Sequence, residues 1–110
     1  MDTTQLLKGV LDVAVLASLT EGGDGYGYDI LRRLRTAGLE DIGDASVYGT
    51  LRRLYGAGLL STYIVPSDEG PPRKYYTVND AGRAELERSR KDWQHFRSTM
   101  DDLLRDRRAS

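Results

Sequence analysis

Apolar and polar positions alternate along this chain with two different periods, and the changes of period mark its elements. Residues 5–19 are apolar on most sides, which predicts a buried first helix with Thr3 or Thr4 as its N-cap and Glu21, Gly22 and Gly23 as its stop. Gly25 and Gly27 then open a second helix, in which Tyr28, Ile30, Leu31 and Leu34 recur at helical spacing while Arg32, Arg33 and Arg35 point elsewhere; Gly38 ends it. The turn at residues 41–44 offers Asp44 as the next N-cap. A third helix over 45–57 follows, with Val47, Leu51 and Leu54 on one face and Ser46, Gly49, Arg52, Arg53 and Gly56 largely off it. The period then changes to that of strands at 59–65 and 73–78, rich in Tyr, Ile, Val and Thr, with the turn residues of 67–72 between them. Asn79 or Asp80 caps a last helix over 80–107. There Leu86, Trp93 and Met100 recur every seven residues, with Phe96 and Leu103 as a second series offset by three.

The predicted fold is mainly α with a small β-hairpin, an α+β arrangement in which residues 1–79 form a winged helix-turn-helix domain and residues 80–110 a long C-terminal dimerisation helix. A chain of 110 residues with 39% hydrophobic content suits one compact core. The C-terminal helix is too long for that core to cover, so its apolar stripe of Leu86, Trp93, Phe96, Met100 and Leu103 calls for a second copy of the chain. With no cysteine, a disulfide framework and a thiolate site are excluded, which suits a cytoplasmic protein. The longest apolar run, 13–17, is too short to cross a bilayer, and no signal peptide is visible.

A helix bearing arginines, followed directly by a hairpin with Arg73 and Lys74, has the layout in which a helix enters a DNA groove and the wing touches the backbone beside it. Net charge argues the other way, since 16 basic residues stand against 17 acidic ones. The distribution restores the case. Residues 1–25 hold only Lys8 against Asp2, Asp12, Glu21 and Asp24, whereas residues 45–77 hold Arg52, Arg53, Arg73 and Lys74 against Asp68 and Glu69. So small a basic surface suits two copies acting together, because phosphate neutralisation supplies much of the affinity for DNA.

Three blocks resemble the PadR family of winged helix-turn-helix regulators. They are Gly27-Tyr28-Asp29-Ile30-Leu31; Ser46 to Leu54 (Ser-Val-Tyr-Gly-Thr-Leu-Arg-Arg-Leu) followed by Gly58-Leu59-Leu60; and Arg73-Lys74-Tyr75-Tyr76 followed by Ala81-Gly82-Arg83. The resemblance implies a homodimeric bacterial repressor bound to a pseudo-palindromic operator in double-stranded DNA, with contacts from Tyr28, Ser46, Tyr48, Gly49, Arg52, Arg53, Arg73 and Lys74. The single C-terminal helix is similar to the smaller branch of the family. Two positions depart from its pattern: Gly49 stands where proline is usual, and Asn79 where threonine is. The wing is also less basic, lacking an additional arginine.

Each residue also has a plainer reading. Arg52 and Arg53 alone would pass for the solvated face of an ordinary helix; the basic hairpin after them is what favours DNA. Tyr48 can pack beside Val47. Ser46 stands at the start of its helix, where capping and a phosphate contact are compatible. Tyr75 and Tyr76 point to opposite faces of their strand, so one belongs to the core and the other is open to DNA. Trp93 and Phe96 serve first as dimer packing; a small hydrophobic or aromatic effector held between them and their symmetry mates is the sharper reading. The glycine-rich stretch 22–27 lacks the phosphate-loop pattern, and one histidine, His95, makes no metal site. Neither cofactor nor metal is expected, and the chain lacks the groups of an enzyme. The rival to a DNA-binding regulator is a winged-helix protein-interaction module without DNA binding.

Overall fold

The computed structural model describes residues 10–106. Within them the order is α1 (Leu11–Gly22), β1 (Gly25–Tyr26), α2 (Gly27–Thr36), α3 (Asp44–Gly56), β2 (Leu60–Val65), β3 (Arg73–Val78) and α4 (Asp80–Leu104). The expected caps Thr3 and Thr4 lie outside the described residues. Helices α1, α2 and α3 pack on one another around Val15, Leu16, Ile30, Leu31, Val47 and Leu51, all essentially excluded from water. Burying side chains of this kind stabilises a fold by about 1.5–3 kcal/mol each.

Helices α2 and α3 end in the same way. The N–H of Leu39 donates to Leu34 O and that of Gly38 to Arg35 O; in parallel, Leu59 donates to Leu54 O and Gly58 to Tyr55 O. These pairs of bonds make Schellman ends, which need a left-handed residue, and Gly38 and Gly58 supply it at φ 123° and 79°. The start of α3 differs from expectation. Extended Gly43 occupies the N-cap without a side-chain bond, and Asp44 is the first helical residue, where its charge complements the helix dipole and pairs with Arg35 at 3.6 Å. Ser46 does not cap the helix; its carbonyl accepts the hydroxyl of buried Thr50 at 2.8 Å.

Beyond the hairpin, the sheet has a third strand. Two residues, Gly25 and Tyr26, pair antiparallel with Tyr76 and Tyr75, giving the order β1-β3-β2. Gly25 therefore begins a short strand instead of opening α2, which begins at Gly27. In the hairpin, Leu60 lies opposite Val78 and Val65 opposite Arg73. Tyr76 and Leu60 face the core, so Tyr75 and Tyr63 occupy the outer face.

Helix α4 is anchored at its start. Asn79 caps it by accepting Gly82 N–H at 2.9 Å, and donates its own amide to Gly58 O at 3.0 Å. Gly82 lies so close to the carbonyl of Leu59 that a β-carbon there would overlap it. One turn later Leu86, only 2% exposed, completes the core of its own chain. That corrects its expected place on a seam between subunits: the seven-residue repeat identifies a face, and this part of the face is covered by α1 and the sheet. Among the described residues the last side-chain tie of α4 to the body is Arg90 to Glu21 at 3.1 Å, after which α4 projects and gives the molecule a 62 Å long axis.

Candidate nucleic-acid interface

The surface of α3 is set by the 100° step between successive residues. Val47, Thr50, Leu51 and Leu54 are buried, which leaves Ala45, Gly49, Arg52 and Gly56 as the outward ridge. Ser46 is exposed near the start of the helix. Small residues on the ridge let the backbone come close to a groove, and the guanidinium of Arg52, with no acidic partner, can bond a phosphate or a guanine edge. Arg53 has a different fate. Expected to face DNA beside Arg52, it turns to the flank and pairs with Asp12 on α1, because one residue along a helix is more than a quarter turn.

On the other flank, Tyr48 is 37% exposed and rests its ring on the start of α2. A β-carbon at Gly27 would overlap that ring, so the glycine opens the seat in which Tyr48 lies. Tyr28, one residue later in the first turn of α2, is half exposed.

The outer face of the sheet carries a row of tyrosines that sequence reasoning missed. Tyr63 stacks on Tyr75 with ring centres 5.6 Å apart, Tyr75 meets Tyr26 at 5.6 Å, and Tyr26 stacks with Tyr28 at 6.4 Å. The Tyr63 hydroxyl donates to Asp24 Oδ2 at 2.8 Å, and that bond, aided by desolvation and the carboxylate's charge, raises its pKa above the ordinary phenol value. Arg73, at the loop end of the hairpin, lies over the ring of Tyr26 at 4.6 Å. Its neighbour Lys74 is exposed on the opposite face of the strand, across from Ile64. Arg32 lies over Tyr28 at 5.8 Å; the i,i+4 spacing of these two was the one part of the row readable in the sequence.

Sorting cations by partner separates this surface from the rest of the winged body. Arg33 donates to the carbonyls of Ser18, Gly23 and Asp24, and Arg35 to that of Ile42. Arg53, Arg83, Arg88, Arg90 and Arg105 each meet a carboxylate. Among the described residues of the winged body, Arg32, Arg52, Arg73 and Lys74 meet neither a carboxylate nor a carbonyl. Three of these four were expected to meet DNA, and Arg32 was not.

Beyond Arg90, α4 presents the expected apolar residues to solvent. Trp93 is 42% and Phe96 55% exposed, with their rings 5.9 Å apart, and Leu103 is more exposed still. Met100, on the same stripe, is half-buried. Among the described residues no helix is long and apolar enough to cross a membrane, and no group of three His, Cys, Asp or Glu side chains is placed to hold a metal ion.

No curated protein matches the sequence. The model of the transcriptional regulator PadR-like family matches residues 15–88. Among solved structures, the PadR-like transcriptional regulator from Bacillus cereus strain ATCC 14579 is 31% identical over 93% of this chain and 98% of that one, with a TM-score of 0.81. A PadR family transcriptional regulator from Eggerthella lenta is 30% identical over 93% of this chain and 88% of that one, with a TM-score of 0.82. A PadR-like transcription factor from Bacteroides fragilis is 30% identical over 93% and 97%, with a TM-score of 0.76. By sequence over most of its length and by fold over nearly all of it, the chain belongs to the PadR-like family of transcriptional regulators.

Proposed function

We propose that the protein is a cytoplasmic bacterial repressor that binds a pseudo-palindromic operator as a homodimer, with α3 of each subunit in successive major grooves. The observation that carries this reading is the confinement of unpaired cations in the winged body to the ridge of α3, the wing and the adjoining α2. Arg52 reads the groove, Ser46, Gly49 and Tyr48 line the approach, and Arg73 and Lys74 hold flanking phosphates. Half-sites are then one helical turn apart or a multiple of it. The stripe of Trp93, Phe96, Met100 and Leu103 joins the two copies, since Trp93, Phe96 and Leu103 stand exposed on one face of α4 with half-buried Met100 among them.

The test is a fluorescence anisotropy titration against duplex DNA from the promoter of its own gene, at several salt concentrations. Tight binding that weakens steeply with salt supports the reading. Salt-insensitive behaviour with no binding sinks it in favour of a winged-helix module for protein association, the reading that near-neutral net charge would suit.

A second role for the stripe is favoured by the Trp93–Phe96 pair, two large rings in contact and open to solvent on one helix face. Together with the partner's copies they would wall a flat apolar site for a small hydrophobic or aromatic effector, whose binding changes the spacing of the two recognition helices in proportion to its preference for one state. Quenching of the single tryptophan by candidate compounds tests this; a silent screen on an intact dimer leaves the pair as packing alone.

A further inference from the structure

Two of the four unpaired arginine and lysine side chains of the winged body lie over aromatic rings that touch each other. The Cζ of Arg73 stands 4.6 Å from the centre of Tyr26, the Cζ of Arg32 stands 5.8 Å from that of Tyr28, and the two rings stack at 6.4 Å with 29° between their planes. The backbone explains why these four meet. Tyr26 lies directly opposite Tyr75 in the sheet, which puts it on the same outer face as Arg73, two residues before Tyr75. Tyr28 is two residues further on and already in the first turn of α2, where Arg32 is its i,i+4 neighbour.

A guanidinium resting on a ring keeps its edge donors free, loses part of its rotamer freedom before any ligand arrives, and is only weakly dehydrated by the contact. These effects favour capture of an anion with planar acceptor geometry. Neither Arg32 nor Arg73 is held in an ion pair, although Asp29 stands one turn before Arg32 on α2, and Asp24, beside the row, is engaged by Tyr63. We propose that Arg73, Tyr26, Tyr28 and Arg32 form one phosphate-binding surface that joins the wing to α2, in which Arg32 is a further contact to the DNA backbone and Tyr26 is a positioning residue acting through Arg73. This rests on the DNA-binding reading above and extends the contact surface beyond the recognition helix and the wing tip.

Phosphate contacts are blind to sequence, so the probe is a mixed-sequence duplex of about three helical turns, followed by anisotropy across a salt series. Arg32→Ala, an exposed change, is expected to weaken binding about 3- to 10-fold at low salt and to flatten the logarithmic salt dependence by about one unit of slope. Tyr26→Leu is expected to weaken it about fivefold, Tyr26→Phe to bind as the parent does, and Tyr26→Leu to add nothing in an Arg73→Ala background. Affinity and slope unchanged in Arg32→Ala overturn the contact. A Tyr26→Phe variant as weak as Tyr26→Leu, or additive losses with Arg73→Ala, overturn the positioning role. A parent protein with no salt-sensitive binding removes the DNA reading itself, whereas a binding parent with a silent Arg32→Ala removes the surface and leaves that reading intact.

Discussion

The two edges of the winged body treat positive charge in opposite ways. Along α1, arginines are consumed by the fold: Arg33 gathers three carbonyls at the end of that helix, Arg53 pairs with Asp12 and Arg90 with Glu21. Along the edge formed by α2, the ridge of α3 and the wing, Arg32, Arg52, Arg73 and Lys74 meet none of these. A protein with a net charge of −1 can thus present a cationic surface, because these four side chains stay out of ion pairs while other arginines are neutralised by acids. The lesson concerns how charge is counted: the number that matters is of cations left without partners, and it cannot be taken from composition.

The sharpest way to break this contrast is to exchange the fates of the two adjacent arginines. Arg52→Ala is expected to cost about 1–3 kcal/mol of operator binding, and Arg53→Ala less than about 0.5 kcal/mol, both by anisotropy. Equal losses would show that the Asp12 pair opens when DNA arrives. Next in size is Gly27→Ala, which forces the ring of Tyr48 from its seat and should lower stability by about 1–3 kcal/mol in denaturant unfolding. Freeing a cation on the α1 edge is the converse experiment. Asp12→Asn should steepen the salt dependence of binding by up to about one unit of slope if Arg53 can reach the backbone, with less than about 1 kcal/mol lost from folding.

The smallest expected effect is a pH dependence at the far end of the tyrosine row. The pKa of Tyr63 is raised in the folded chain, so the contribution of its bond to Asp24 is complete below the unfolded phenol value near 10 and is lost as pH rises through the higher folded value. Melting temperatures of the parent and Tyr63→Phe should therefore converge in strong alkali, and a constant gap between them would exclude the linkage.

Much of this was readable from the sequence, for reasons that differ by element. Helices α2 and α3 announce themselves because Ile30, Leu31 and Leu34, and then Val47, Leu51 and Leu54, keep one face, and Gly38 and Gly58 stand where left-handed ends are needed. Strand β1 was invisible: two residues, one of them glycine, contain no alternation, and only pairing with Tyr75 and Tyr76 makes them a strand. Leu86 was given to the wrong partner because periodicity names a face and not what covers it. The pairing of Arg53 with Asp12 spans 41 residues and has no local signature. The tyrosine row required strand register, with Tyr63, Tyr75 and Tyr26 coming from three strands. What local pattern encodes was legible, and what tertiary proximity creates was not.

The double grip of Asn79, on the first turn of α4 and on Gly58 at the end of α3, makes a mechanical joint between the projecting helix and the recognition helix. The 25 residues of α4 form an arm about 37 Å long at 1.5 Å rise per residue. If α4 pivots as a rigid rod about Asn79, a displacement of about 3 Å at Leu104 turns it by only about 5° and moves buried Leu86, about 10 Å along the rod, by about 0.8 Å. The arm is geared downward: coarse movements at its tip become fine rotations where the recognition helix ends.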